Sequence, residues 1–218
     1  MPSTRYQKIN AHHYRHIWVV GDIHGEYQLL QSRLHQLSFF PEIDLLISVG
    51  DNIDRGPESL DVLRLLNQPW FTSVKGNHEA MALEAFETGD GNMWLASGGD
   101  WFFDLNDSVQ QEAIDLLLKF HHLPHIIEIT NDNIKYAIAH ADYPGSEYLF
   151  GKEIAESELL WPVDRVQKSL NGELQQINGA DYFIFGHMMF DNIQTFANQI
   201  YIDTGSPNSG RLSFYKIK

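Results

Sequence analysis

Two carboxylates, three imidazoles and one amide recur along this 218-residue chain within short motifs, most of them rich in glycine. In order these are Gly21-Asp22-Ile23-His24-Gly25, Gly50-Asp51-Asn52-Ile53-Asp54-Arg55-Gly56, Gly76-Asn77-His78-Glu79, His140 within Ala139-His140-Ala141-Asp142, and Gly186-His187. Asp22, His24, Asp51, Asn77, His140 and His187 form a donor set for two divalent cations sharing one carboxylate, a hydrolytic arrangement for phosphate esters. Asp22 and His24 alternate across a tight loop, so both can reach one ion. Asp51 is the candidate bridge. Asn77, His140 and His187 would complete the second centre. With no thiolate in the set, Mn, Fe, Zn and Co all suit it. A water shared by the two ions would lose a proton near neutral pH and become the nucleophile.

Three further side chains accompany the ligands. His78 can protonate a departing alkoxide near pH 7. Asp54 can orient that imidazole. Arg55 offers a planar fork of donors to phosphoryl oxygens. Singly, each motif is weak: an Asp after a strand more often caps a helix or forms a turn, and Asp54-Arg55 alone reads as a surface ion pair. Five motifs in one order carry the reading. The remaining histidines (His12, His13, His16, His35, His121, His122 and His125) match no motif and read as surface or core residues.

The elements that must position these residues alternate. Apolar runs at His16–Val20, Asp44–Val49 and Trp70–Val74 predict strands, and helical spacing predicts helices over Glu26–Leu37, Ser59–Leu66 and His78–Phe86. Three successive strand–loop–helix units imply right-handed crossovers and parallel pairing, with the motifs at the strands' C-terminal ends. Met93–Ala96 and Gln110–His122 read as helices. Ile126–Ile129, Tyr136–Ala139, Tyr182–Phe185, Ile193–Phe196, Ile200–Ile202 and Leu212–Ile217 read as short strands. The expected class is α/β, with two sheets packed face to face and helices outside, in a single domain over residues 1–218.

Composition narrows the partners. A formal charge of −14 makes nucleic acid a poor ligand. Cysteine is absent, which excludes disulfides and thiolate zinc sites. No apolar run reaches the roughly 20 residues that span a bilayer. The segment from Met1 to His16 is polar, without a signal-peptide core. A cytoplasmic monomer is expected.

The motifs resemble those of the metallophosphoesterases, in the phosphoprotein phosphatase branch of bacterial and phage lambda type. Gly98-Gly99-Asp100-Trp101, His140-Ala141-Asp142-Tyr143-Pro144 and Ile202-Asp203-Thr204-Gly205 fit as well, so the resemblance runs from about Ile17 to Leu212. It implies an αββα four-layer sandwich, a dinuclear and usually Mn-dependent site, and direct attack without a phosphoenzyme. It also implies that Asp22, His24 and Asp51 serve one metal, that Asp51, Asn77, His140 and His187 serve the other, that His78 with Asp54 is the acid dyad, and that Arg55 clamps phosphate with Asn77 beside it. Relatives usually carry a second phosphate-binding Arg in Leu-Trp-x-Arg. Here the segment reads Leu160-Trp161-Pro162-Val163-Asp164-Arg165, with Val163 in that place. Either Arg165 partly substitutes, or Arg55 and the metals hold phosphate alone. The Ser206–Gly210 turn also departs from the pattern and is expected to reshape the substrate rim. The expected activity is metal-dependent serine/threonine phosphoprotein phosphatase. Symmetrical diadenosine tetraphosphate hydrolysis and a catalytically weak phosphopeptide-binding module are the alternatives.

Overall fold

The computed structural model describes residues 4–218; the first three positions of the polar amino-terminal segment lie outside the described residues. In chain order the elements are β1 (Tyr6–Asn10), β2 (Ile17–Val20), α1 (Tyr27–Gln36), β3 (Leu45–Ser48), α2 (Ser59–Arg64), β4 (Phe71–Ser73), α3 (Asn77–Thr88), α4 (Asn92–Ala96) and α5 (Asp107–Leu117). Then follow β5 (Ile126–Asn131), β6 (Ile134–Ile138), α6 (Ser157–Leu160), α7 (Asp164–Leu170), β7 (Tyr182–Phe185), β8 (Gln194–Phe196), β9 (Gln199–Tyr201), α8 (Ser206–Ser209) and β10 (Phe214–Lys216).

The strands form a four-stranded sheet in the order β10-β2-β3-β4 and a six-stranded sheet in the order β1-β5-β6-β7-β9-β8. β2, β3 and β4 are parallel, as the strand–helix alternation requires, and β10 joins β2 antiparallel. β6, β7 and β9 are parallel in the other sheet.

Side chains alternate across a strand, so each strand serves two layers. Ile17, Val19, Leu45 and Ile47 point inward to meet Ile127, Ile129, Ile138, Ile184 and Ile200 of the facing sheet. Val20, Leu46 and Phe71 point outward, where Leu30 and Leu34 of α1 and Val62 of α2 cover them. The far face of the large sheet, through Ala137, Phe183 and Phe185, is covered by Leu159 and Leu160 of α6 and Val166 of α7. The result is the expected helix–sheet–sheet–helix sandwich.

β1 has no counterpart among the predicted strands. It pairs parallel with β5 as an edge strand, and only Tyr6 and Ile9 are partly covered. A mostly polar run of this kind carries no periodic signal. The short α6, α7 and α8 were likewise not foreseen: four to seven residues are too few to show a helical repeat.

One buried carboxylate outside the motifs anchors the sandwich. Asp44, just before β3, accepts from Arg15 Nε at 2.9 Å and from the backbone N–H groups of His16 (3.1 Å) and Phe40 (2.8 Å). Burial pushes its carboxyl up, but the Arg15 hydrogen bond and these amides outweigh that and hold it below the ordinary aspartate value. Its contribution is therefore complete above the unfolded value of about 3.9 and is lost as pH falls through the lower folded value. Asp44→Asn should flatten the stability-against-pH curve below about pH 4, as read from denaturant midpoints. An acid limb unchanged from the parent's would exclude this role.

Candidate functional site

All five motifs end at one rim of the sandwich. The four-stranded sheet delivers Asp22 and His24 after β2, Asp51, Asp54 and Arg55 after β3, and Asn77 and His78 at the start of α3. The six-stranded sheet delivers His140 after β6 and His187 after β7. The loops are wound tightly. Of nine described non-glycine residues with positive φ, five lie here: His24 (47°), Asp51 (51°), Asp54 (74°), Arg55 (69°) and His187 (64°). Such conformations cost energy for residues with a Cβ and gather at functional sites. Gly50, at φ 96°, lets two of the loops touch: a Cβ there would stand 2.7 Å from the Gly76 Cα.

Asp51 is the hub. Its Oδ2 lies 3.5 Å from His140 Nε2, 3.8 Å from His24 Nε2 and 3.9 Å from His78 Nε2. His24, Asp51 and His78 form one group with potential ligand atoms all within 4.8 Å, and Asp51, His140 and His187 form another. Asn77 Oδ1 adjoins the second, 2.7 Å from His140 Nε2 and 3.1 Å from His187 Nδ1. Asp22 stands against them, accepting the His187 N–H at 3.1 Å, but its carboxylate belongs to neither tight group. His78, expected as an acid alone, takes the place beside His24 and Asp51.

The donor set fits cations. His24 Nδ1 lies 2.9 Å from the Ile53 carbonyl, and His140 Nδ1 lies 2.8 Å from that of Val49. A carbonyl only accepts, so both rings donate outward and turn their Nε2 lone pairs inward. Those lone pairs then face Asp51 Oδ2 and, for His140, the Asn77 amide, an acceptor-rich pocket that a cation would satisfy. Burial also pulls the His24 ring down to about 3 and the His187 ring down to about 4, so both are neutral at pH 7. Arg55 adds positive charge beside the group, with Nη1 3.0 Å from His24 Nε2 and Nη2 3.0 Å from His78 Nε2.

His78 and Asp54 form a buried dyad, His78 Nδ1 donating to Asp54 Oδ2 at 2.7 Å. Burial pulls the imidazole down, but Asp51 and Asp54 more than offset it and leave it above its ordinary value, as an acid near neutrality needs. Asp54 also accepts from the indole of Trp94 at 3.0 Å and from that of Trp101 at 2.8 Å. Neither contact was foreseen. Trp101 lay in a quoted motif without a role, and Trp94 gave no signal.

Glu79 was also quoted without a role. Its buried carboxylate accepts the N–H groups of Asp51, Asn52 and Gly76, each at 2.8 Å, and so binds the second and third motif loops together. Burial, then Asp51, raises it to about 7. Asp203 is likewise buried beside the cluster and pushed up to about 6. The Ser206–Gly210 segment is a one-turn helix rather than a free rim. Its Ser206 Oγ lies 2.8 Å from the Asp22 carbonyl and 2.9 Å from that of Ile23, its one proton shared between them, and so braces the Asp22–His24 loop.

Arg165 is not brought to the cluster. Its Nε donates to Asp142 Oδ1 at 2.9 Å, and its Nη2 donates to the carbonyls of Tyr143 (3.0 Å) and Gly145 (2.7 Å). The side chain is buried within α7 and pins the loop after His140, with its donors committed to protein rather than to phosphate. Arg165→Ala should therefore cost about 3–5 kcal/mol in chemical unfolding, the usual price of stranding a buried partner. KM should stay within about threefold, far below the loss of a charge-assisted phosphate contact. A large KM rise at unchanged stability would restore the substitute role.

A model of the calcineurin-like phosphoesterases matches residues 15–190 of the chain. An Escherichia coli protein named serine/threonine-protein phosphatase 2 is 99% identical to it over 218 residues, covering 100% of both chains. A symmetrical bis(5'-nucleosyl)-tetraphosphatase of Erwinia tasmaniensis is 33% identical over 126 residues, covering 57% of this chain and 43% of that one. In three dimensions, a protein serine/threonine phosphatase from Saccharomyces cerevisiae superposes with a TM-score of 0.62 over 93% of this chain and 71% of the other, at 18% identity. That last likeness speaks for the fold alone. With the full sandwich, the five motif loops at one rim and the family model over most of its length, the chain belongs to the calcineurin-like phosphoesterases.

Proposed function

We propose that this protein is a serine/threonine phosphoprotein phosphatase that uses two divalent cations, manganese in its native form. The observation that carries it is the convergence of His24 and His140 on Asp51 Oδ2, with His78 of the His78–Asp54 dyad as the third imidazole beside it. His24 and Asp51, with Asp22 next to them, would hold one ion. Asp51, Asn77, His140 and His187 would hold the other. Bound there, the two ions supply a nucleophile at neutral pH and draw charge from the phosphoryl oxygens.

The chain's own groups do the rest. Arg55 is exposed at the mouth and orients the phosphate with its guanidinium fork. His78, held by Asp54 through Nδ1, presents Nε2 to the leaving oxygen and gives it a proton. Trp94 and Trp101 fix Asp54 from behind. The protein-phosphatase assignment is supported by the relative matched end to end, whereas the Erwinia tasmaniensis tetraphosphatase aligns in sequence over 57% of the chain. The Asp54-Arg55-Gly56 triplet also favours it. A phosphoprotein substrate, with nucleic acid disfavoured by the −14 charge, suits a monomer with one catalytic domain working in the cytoplasm.

The test is phosphate release from a phosphoserine protein and from diadenosine tetraphosphate in parallel, with Mn²⁺ and with chelator. The expected result is Mn²⁺-dependent release from the phosphoprotein, the dinucleotide untouched and the chelated sample silent. Cleavage of the dinucleotide alone would move the enzyme to the tetraphosphatase activity. Binding of phosphopeptide without turnover would leave a recognition module.

A further inference from the structure

Three of the four residues that would form the second centre, Asn77, His140 and His187, come from separate loops, and one short segment reaches all three. Leu159 in α6 accepts the Ala141 N–H at 3.0 Å through its carbonyl, directly after His140. Leu159 and Leu160 lie in one apolar cluster with Phe185 and Met188, which bracket Gly186 and His187. Glu156, the residue before α6, reaches Lys75, two residues before Asn77: Oε1 lies 3.4 Å from Lys75 Nζ. The other carboxylate oxygen lies 3.6 Å from His125 Nε2.

Both partners of Glu156 are buried, Lys75 at 6% exposure and His125 at 2%. His125 Nδ1 accepts the Arg5 N–H at 3.0 Å, so its proton is on Nε2 and aimed at Glu156. That Nε2 has no hydrogen-bond partner, and Glu156 is the acid beside it. Leu159 and Leu160 are fully buried and fix the rest of the segment. Packing alone would hold α6. It would not require a carboxylate between a buried ammonium and a buried imidazole.

We infer that Glu156 is a positioning residue for the second centre: through Lys75 and His125 it locks the 156–161 segment, and that segment sets the loops of Asn77, His140 and His187 against one another. The inference rests on the dinuclear reading above. Groups hydrogen-bonded directly to a metal ligand typically govern metal affinity by about 10–100-fold, and Glu156, acting through the loops one step further out, belongs at the low end of that range.

The experiment is calorimetric titration of Mn²⁺ into metal-free protein, with His24→Asn and His187→Asn proteins marking which step belongs to which centre. Glu156→Ala should weaken the second-centre step by about 10-fold and leave the first within about twofold. Glu156→Gln keeps hydrogen-bonding atoms without the charge and should fall between Glu156→Ala and the parent. Thermal melts of the metal-free proteins accompany the titrations. Equal weakening of both steps in step with a lowered melting temperature would reduce Glu156 to a general stabilising contact and overturn the inference. So would two unchanged steps. A parent that binds a single ion would instead overturn the dinuclear reading, and the inference with it.

Discussion

Asp51→Asn protein will hold neither ion tightly and will hydrolyse phosphoserine substrates at least about 10³-fold more slowly than the parent. The magnitude follows from removing a shared ligand, because metal stabilisation of phosphoryl charge is worth several kcal/mol and each ~1.4 kcal/mol is tenfold in rate. The fold should survive. Asn retains the oxygen that accepts the His78 N–H, now 3.0 Å away, and the Asp51 N–H still donates to Glu79 at 2.8 Å. Removing Asp51 also relieves a cluster in which it raises the carboxyls of Asp22, Glu79 and Asp203. Metal content by elemental analysis, circular dichroism and initial rates decide the matter together. A variant that keeps two ions and more than a tenth of the rate would remove Asp51 from the centre of the scheme.

His78→Asn should lose about 10²–10⁴-fold in kcat, the usual worth of a positioned acid. The loss should depend on the leaving group. A serine alkoxide needs a proton to depart, and a nitrophenolate does not. The deficit measured on a phosphopeptide should therefore shrink by a factor of ten or more on a nitrophenyl phosphate, since the proton is then not needed. His78 also approaches Asp51 Oδ2 at 3.9 Å and sits in the His24 group, so a ligand role makes a different prediction. If His78 bound metal, its loss would lower metal content and cut both substrates alike. Uniform loss with depleted metal would assign it to the metal centre and leave the enzyme's acid to be found elsewhere.

Much of this was legible before any coordinates. The strands β2 and β3 are nearly continuous apolar runs, because both of their faces are covered, β4 lies within the Trp70–Val74 stretch, and glycines follow all three at the motifs. The six proposed ligands, Asp54 and Arg55 stood in fixed local patterns, and local patterns survive in a linear string. What stayed hidden was contact across the chain. Trp94 and Trp101 reach Asp54 over 40 and 47 residues. Glu156 meets Lys75 across the molecule, and no spacing rule pairs them. β1 is visible only once β5 exists to receive it. Arg165 shows the opposite failure: a local departure at Val163 invited a local substitute, whereas Asp142, 23 residues away in sequence, had already claimed the guanidinium.

The lacing of the two sheets has a consequence for dissection. β1 precedes the small sheet in sequence yet belongs to the large one, and β10 follows the large sheet yet closes the small one. A cut between α5 and β5 therefore yields no self-contained piece. The first fragment would carry an orphan edge strand and lack the strand that flanks β2. The second would carry His140 and His187 without the carboxylate they face. Catalysis has no half-sized carrier within this chain. It is a property of the closed weave, and it should appear and vanish with the whole molecule.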